Sequence, residues 1–376
     1  MRIHIHQQRL GAALQQVQRA VSAHSTMPIL GGIKLTADVD GLRLMATNHE
    51  IAVETYLAAD SDETLSIEAP GSIVLPARYF VELVRKLPDP WVHLAVQQPY
   101  SVQITSAKAA FLLHGFDPEE FPRLPQITSD QPFLIYSDNL KDAIRQTVVA
   151  IAAEETRPVL TGLCMKFDAD SITFIGTDSH RLASRKLFLQ GGPEGASETA
   201  VVPGKSVHEL ARLLPEDDTP VAMTIADNTL LVSSETTRFF TRLLEGQYPD
   251  TSKIIPTTFK TRIHIRRDPF ASALERALLI AREMQNQVVR LQLQSDRIEL
   301  SAHSHDVGRV SEQVPLDQFS GDALTIAFNG KYMLDAVRSF DGEQLTVDFT
   351  GTMSPMVLRP TDGQEYLHLV LPVRTV

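Results

Sequence analysis

Asp178, Ser179 and His180 stand in succession within TDSHR (177–181), and together they are the three residue types of a nucleophilic triad. A triad needs members that converge in space, whereas successive residues on a strand point to opposite faces, so the run supplies the types without the geometry. PGKS (203–206) ends as a phosphate-binding loop does, yet Thr199 stands where the glycine five positions before Gly204 is required. That excludes a nucleotide site of this kind. His303 and His305 in SAHSHD could share one strand face as metal ligands, as could His4 and His6. No third ligand stands at a metal-site spacing, so these read as surface histidines and no cofactor is implied.

Cations give the stronger signal. Three segments align as LPARYFVELVRKLP (75–88), VPGKSVHELARLLP (202–215) and FNGKYMLDAVRSFD (328–341). Arg78, Lys205 and Lys331 share one column, and Arg85, Arg212 and Arg338 share another seven residues later. Seven residues make two helical turns, so both cations of each segment fall on one face, opposite an apolar stripe of Phe80, Leu83, Val84 and Leu87. Such a face suits contact with phosphates, which needs charge but no base-reading geometry.

These helices belong to a repeat. Residues 156–183 lie over residues 26–53 without a gap at an offset of 130, with Thr26/Thr156, Pro28/Pro158, Leu30/Leu160, Gly32/Gly162 and Thr47/Thr177 in common. Helix positions Leu10, Leu140 and Phe270 keep the same spacing, so a third copy exists. Each copy reads as βαβββ twice, an α+β pattern. In the first, strands are expected at 29–37, 42–47 and 51–58, with Asp40-Gly41 as a hairpin turn. A further strand at 65–75 leads into a helix beside Pro76, and strands follow near 92–97, 100–105 and 109–115. The Pro-rich segments FPRLPQITSDQP and YPDTSKIIP punctuate the junctions, which gives three domains, 1–128, 129–257 and 258–376.

Length and composition agree with that division. The chain has 376 residues, 43% hydrophobic and 22% charged, which is too long for one core of ordinary size. A single cysteine, Cys164, excludes a disulfide framework and fits a reducing compartment. The opening RIHIH lacks the apolar stretch of a signal peptide, and no run of about 18 apolar residues is available to cross a membrane. With 35 Lys and Arg against 46 Asp and Glu, the net charge is −11, so nucleic acid must meet a locally basic face.

Together TRPVLTG, TDSHRLA, the PGKS helix, YPDTSKIIP, FNGKYMLDA and the closing LVLPVRTV resemble the β-subunit family of bacterial DNA polymerase III, the β sliding clamps, and its Firmicutes-like members above all. The likeness runs in register from Met1 to Val376. It implies a head-to-tail homodimer, a ring of clamp domains with helices lining a channel around duplex DNA and sheets outside. Activity would be that of a non-catalytic processivity factor in the cytoplasm, associated with the nucleoid during replication. Implied partners are replicative and repair DNA polymerases, the clamp loader and other proteins bearing a clamp-binding motif, with no membrane. The competing reading is a repeat-built hydrolase that uses Asp178, Ser179 and His180.

The resemblance also carries residues over. A peptide-binding pocket is implied at Leu160, Thr177, Ser179, His180, Arg181, Leu182, Pro249, Ile254, Asn329, Tyr332, Met356, Val370, Leu371, Pro372, Val373 and Arg374. DNA-facing positions are His24 and Arg157, beside the two cation columns, and the dimer interface falls on Phe111 and Leu113 against Leu279 and Ile280. Three positions depart from the enterobacterial pattern: Ser179 replaces a glycine, Lys253 an arginine, and His24 a loop arginine.

Overall fold

The computed structural model describes residues 1–22, 25–59, 64–127, 129, 131–154, 156–283 and 285–374. In the first repeat β1 (Arg2–His6) runs directly into α1 (Gln7–Val17), followed by β2 (Gly32–Ala37), β3 (Gly41–Thr47) and β4 (Ile51–Ala58). Its second half comprises β5 (Leu65–Ala69), β6 (Gly71–Pro76), α2 (Ala77–Arg85), β7 (Trp91–Gln97), β8 (Ser101–Ser106) and β9 (Ala109–His114). The second repeat opens with β10 (Phe133–Tyr136), α3 (Ser137–Val148), β11 (Gly162–Asp168), β12 (Ser171–Thr177) and β13 (Arg181–Phe188). It continues with β14 (Ser197–Pro203), α4 (Gly204–Leu213), β15 (Pro220–Ala226), β16 (Thr229–Ser233) and β17 (Thr237–Arg242). The third holds β18 (Thr261–Arg266), α5 (Arg267–Ala281), β19 (Val288–Leu293), β20 (Arg297–Ser304) and β21 (Gly308–Pro315). After these come β22 (Gln318–Ser320), β23 (Thr325–Asn329), α6 (Gly330–Ser339), β24 (Gln344–Phe349), β25 (Met356–Pro360) and β26 (Tyr366–Val370).

Two expectations are corrected. Residues 65–75 form two strands in different sheets, because Gly71, at φ +149°, turns the chain between them. A Cβ there would lie 2.8 Å from the backbone nitrogen of Met1. The strand expected from residue 29 begins at Gly32, since Pro28–Gly31 is a 3₁₀ turn, repeated at Pro158–Thr161. The βαβββ halves hold in the second repeat, while the first and third each carry one more short strand, β5 and β22.

The chain divides into two compact units. One comprises Met1–Ser137 with His208–Leu243, the other Asp138–Val207 with Leu244–Val376. The first holds two sheets, ordered β5-β1-β7-β8-β9 and β10-β15-β16-β17-β4-β3-β2-β6. The second holds β14-β11-β12-β13-β26-β25-β24-β18-β22 and β21-β20-β19-β23. Within every repeat the two halves exchange their leading strands. Thus β1 pairs with β7, β10 with β15 and β18 with β24, while β6, β14 and β23 pair with β2, β11 and β19.

Successive repeats are joined by backbone pairing. In the first unit β17 lies antiparallel to β4, with Thr237 opposite Thr55 and Thr241 opposite Ile51. In the second unit β13 lies against β26, with Arg181 opposite Val370 and Arg185 opposite Tyr366. Glutamines 130 residues apart sit at these seams. The Gln16 side-chain oxygen accepts from the hydroxyls of Thr55 and Thr237 at 3.0 and 3.1 Å. The Gln146 carbonyl accepts from the Tyr366 hydroxyl at 3.2 Å and lies 3.1 Å from His368 Nε2. An ion pair accompanies each seam, Arg19–Glu209 at 3.2 Å and Arg145–Asp341 at 2.6 Å.

The helix registers are buried as their spacing predicts: Leu10 and Leu14, Leu140 and Ile144, Phe270 and Leu274 are at most 1% exposed. Each such side chain contributes about 1.5–3 kcal/mol relative to exposure. His368 is buried among polar partners at the second seam, with Ser339 Oγ 2.9 Å and the Tyr366 hydroxyl 2.6 Å from Nε2. Burial pushes its pKa down from 6.5 to about 3, against the opposing pull of the Gln146 carbonyl. Between those values the unfolded chain binds a proton that the native chain refuses. This contribution to stability is therefore full above pH 6.5 and is lost as pH falls toward 3. Melting temperature should drop on going from about pH 7 to about pH 4.5, and His368→Gln should flatten that slope. An unchanged slope would assign the acid sensitivity to other groups.

Candidate peptide-docking cleft

TDSHR is a tight turn rather than part of a strand, since β12 ends at Thr177 and β13 begins at Arg181. The Thr177 hydroxyl donates to the Arg181 carbonyl at 2.6 Å and accepts from the Ser179 N–H at 3.2 Å. Asp178 Oδ1 accepts from the N–H groups of His180 and Arg181 at 2.9 and 3.0 Å. The first repeat has the same turn. There Thr47 donates to the Ile51 carbonyl at 2.9 Å and accepts from the His49 N–H at 3.2 Å, while Asn48 accepts from Glu50 and Ile51. The third residue of both turns is left-handed, His49 at φ 73° and Ser179 at φ 76°. Asp178 also takes the Arg181 Nε at 3.0 Å, so its carboxylate is occupied by its own turn and does not orient an imidazole.

Arg181 organises the surroundings. Its guanidinium also holds Asp335 at 2.9 Å and lies 4.3 Å from the centre of the Tyr332 ring. Burial raises the Tyr332 hydroxyl pKa, and Asp178 adds to the shift. Asn329 caps α6 by accepting from the N–H groups of Lys331 and Tyr332 at 2.9 and 3.2 Å, which fixes Tyr332 at the start of that helix. The chain after β26 is tied down at two points, Leu371 N–H to the His180 carbonyl at 3.0 Å and Val373 N–H to the Ala327 carbonyl at 2.8 Å. Between these elements lies a cleft of about 280 Å³ lined by His180, Asn286, Asn329, Tyr332, Leu371, Pro372 and Val373.

Six of those seven lining residues were singled out in the sequence; Asn286 was not. It lies at φ 64° in the 3₁₀ turn Gln285–Gln287, and the local signal for it is asparagine's tolerance of left-handed backbone. Leu160 and Leu182 are buried in one apolar cluster with Cys164, Ile175 and Tyr248, against which Leu371 packs. Met356 and Val370 belong to the core of the third repeat. These four and Thr177 are buried and do not belong to the lining of this cleft. Ser179, Pro249, Ile254 and Arg374 are exposed outside the lining. The Cys164 thiol is pushed up to about 11 by burial, which keeps it a protonated apolar group.

The cation columns are solvent-facing on α2, α4 and α6. Each last-turn arginine holds a carboxylate: Arg85 with Glu82 at 2.7 Å, Arg212 with Glu209 at 2.9 Å, Arg338 with Glu275 at 2.6 Å. Lys331 is paired with Asp335, whereas Arg78 and Lys205 have no carboxylate within ion-pair distance among the described residues. Exposed pairs of this kind contribute about 0–1 kcal/mol, so a phosphate can displace the carboxylate. Arg157 is exposed ahead of the 3₁₀ turn Pro158–Thr161, and His24 lies outside the described residues. The rings of His303 and His305 meet edge-on at 5.1 Å, and no group of three or more potential metal ligands occurs among the described residues. Phe111 is 40% exposed on the edge strand β9, where Leu113 is half-buried; Leu279 is 61% exposed on α5, where Ile280 packs against the core.

Profiles of the DNA polymerase III β subunit match along the whole chain, the N-terminal domain over residues 1–125, the central domain over 134–250 and the C-terminal domain over 252–374. The chain belongs to the DNA polymerase III β-subunit family. It is 42% identical over 378 residues to the β sliding clamp of Bacillus subtilis, covering 100% of both chains, and 40% identical to that of Halalkalibacterium halodurans, covering 96% of both. The crystal structure of the B. subtilis DNA polymerase sliding clamp superposes with a TM-score of 0.96 over 100% of both chains. That of the DNA polymerase β subunit from Streptococcus pyogenes, 30% identical, gives 0.95 over 100% of both. The fold is the three-domain clamp fold of this family, whose members are not catalysts, and the hydrolase reading is set aside.

The departures from the enterobacterial pattern take on physical meaning here. Ser179 occupies a left-handed position, where glycine carries no steric penalty and other L-residues cost about 1–2 kcal/mol. Lys253 is exposed on the 3₁₀ turn Ser252–Ile254, so its exchange for arginine leaves the packing unchanged. Ser179→Gly should raise stability by about 0.5–1 kcal/mol, after part of the relief is offset by glycine's greater freedom in the unfolded chain. Denaturant titration at neutral pH measures this, and a loss of stability would show that the Ser179 side chain makes a compensating interaction.

Proposed function

We propose that this chain is a processivity clamp: a homodimer, closed head to tail into a ring around duplex DNA, that slides without sequence preference and docks polymerases and other replication and repair proteins. The observation that carries the reading is the pattern of sheet edges. Two seams inside the chain pair the last strand of a repeat's first half with the last strand of the next repeat's second half, β4 with β17 and β13 with β26. The strands left over by this rule are β9 of the first repeat and β21 of the third, each at a sheet edge. Pairing β21 with the β9 of a second copy would complete the series, and the reciprocal pairing closes the ring. Three domains with junctions near 128 and 257 fit this scheme.

Phe111 and Leu113 lie on the same face of β9 as the buried Ile104 and Val102 of β8, so they would continue that apolar layer across the new seam toward Leu279. The cation columns on α2, α4 and α6 would face the DNA, joined by Arg157 and by His24. Holding by encirclement agrees with the net charge of −11, since tight phosphate binding is not required. The cleft beside Tyr332 would take short, mostly apolar peptides of polymerases, of the clamp loader and of other proteins bearing a clamp-binding motif, anchored by a few side chains. No helix among the described residues is long and apolar enough to cross a membrane, in keeping with action in the cytoplasm at the nucleoid.

Leu279→Ala with Ile280→Ala should yield folded monomer, and an unchanged dimer mass at micromolar concentration would reject this interface. On nicked circular DNA the ring should survive salt that abolishes binding to short duplexes and be lost when the circle is cut, because ionic strength weakens ion pairs but not encirclement. Equal loss from circular and linear DNA would defeat the topological reading. Truncation after Leu371 removes Pro372 and Val373 from the cleft. A near-native melt with polymerase-peptide binding lost supports docking there, whereas retained affinity places the peptide elsewhere.

A further inference from the structure

The outward face of the four-stranded sheet β21-β20-β19-β23 carries a second concavity, of about 620 Å³, that neither the cleft nor the cation columns include. Its lining includes Val288, Arg290, Ser301, His303, Arg309 and Ser311. The register brings them together: Arg290 is opposite Ser301, Ser301 is opposite Ser311, and His303 is opposite Arg309. His305 joins through its edge-on contact with His303. Elsewhere in the third repeat Arg262, Arg267, Arg276, Arg297 and Arg338 each hold a carboxylate. Arg290 and Arg309 have none among the described residues, although both are exposed in a chain of net charge −11. The carboxylate of Glu299, on the strand between them, is engaged by the Ser311 hydroxyl at 2.6 Å.

We infer that this sheet face is a docking site for a short acidic segment of a partner protein. Arg290 and Arg309 sit two strands and two residues apart, so their backbones are separated by about 12 Å. Carboxylates four residues apart on an extended peptide share one face and span about 13 Å, close to that separation. Guanidinium forks receive the carboxylates bidentately, the Ser301 hydroxyl offers a hydrogen bond between them, and Val288 gives the peptide an apolar contact. A nucleic acid strand fits less well. It needs a continuous run of cations, and here Glu299 lies between the arginines and Asp306 follows His305 in the adjoining turn. The inference does not rest on the cleft; ring closure would pair the free edge of β21 with β9, and the docking face is the outward side of that strand rather than its edge.

The test titrates the full chain at about 50 mM salt with a blocked hexapeptide of alternating Asp and Glu, followed by heteronuclear NMR. Shifts should map to β19, β20 and β21, and the affinity should fall at least tenfold in Arg290→Ala/Arg309→Ala and at about 300 mM salt. Arg297→Ala, which removes an arginine already paired with Asp296, should leave binding unchanged. Because both arginines are exposed, the double variant should melt as the parent does. No measurable binding, full affinity in the double variant, equal competition by inorganic phosphate, or tighter binding at these strands of a single-stranded oligonucleotide of the same charge would each overturn the assignment.

Discussion

A strand at the edge of a sheet leaves a row of backbone N–H and C=O groups without partners, and the closing of those rows governs how this chain is built. β4 and β13 meet β17 and β26 of the following repeat, so backbone hydrogen bonds rather than linkers join successive copies. Groups from the helix layer meet the strands at these seams: the Gln16 side chain accepts from Thr55 and Thr237 at one, and the Gln146 carbonyl accepts from Tyr366 at the other. A seam made this way has a fixed register, and whatever lies at its ends is positioned by it.

The candidate cleft is such an end. Arg181 is opposite Val370 at the last pair of the second seam, and the next backbone contact carries Leu371 to His180. The turn at 177–181 therefore faces the C-terminal segment because the strands on either side are paired. Arg181 completes the arrangement by bridging Asp178 to Asp335 under the ring of Tyr332. The corresponding turn at 47–51 has the same hydrogen bonds but isoleucine at the position of Arg181, so it lacks that bridge. One turn geometry thus serves two seams, and side-chain chemistry distinguishes them.

Charge is managed by pairing. The excess of acidic residues supplies a carboxylate to each of Arg85, Arg212 and Arg338, so these cations are held in place yet remain exchangeable. A surface of this kind favours contacts that form and break readily over one that grips.

Residue order alone carries the threefold repeat, the helix registers at Leu10, Leu140 and Phe270, the cation columns and, through the likeness of TDSHR, FNGKYMLDA and LVLPVRTV to one family, most of the cleft lining. Those features were legible because side-chain spacing records them locally. Strand exchange was not, because β1 alternates in the same way whether it pairs with β2 or with β7, and backbone pairing leaves no mark on residue type. Nor could spacing show that residues 65–75 split at Gly71, that TDSHR turns instead of extending, or that Asn286 enters the cleft. Arg338 meets Glu275 from 63 residues away, and Arg181 meets Asp335 from 154. Such partners are chosen by how distant segments pack together, and neither residue type nor local spacing records that choice.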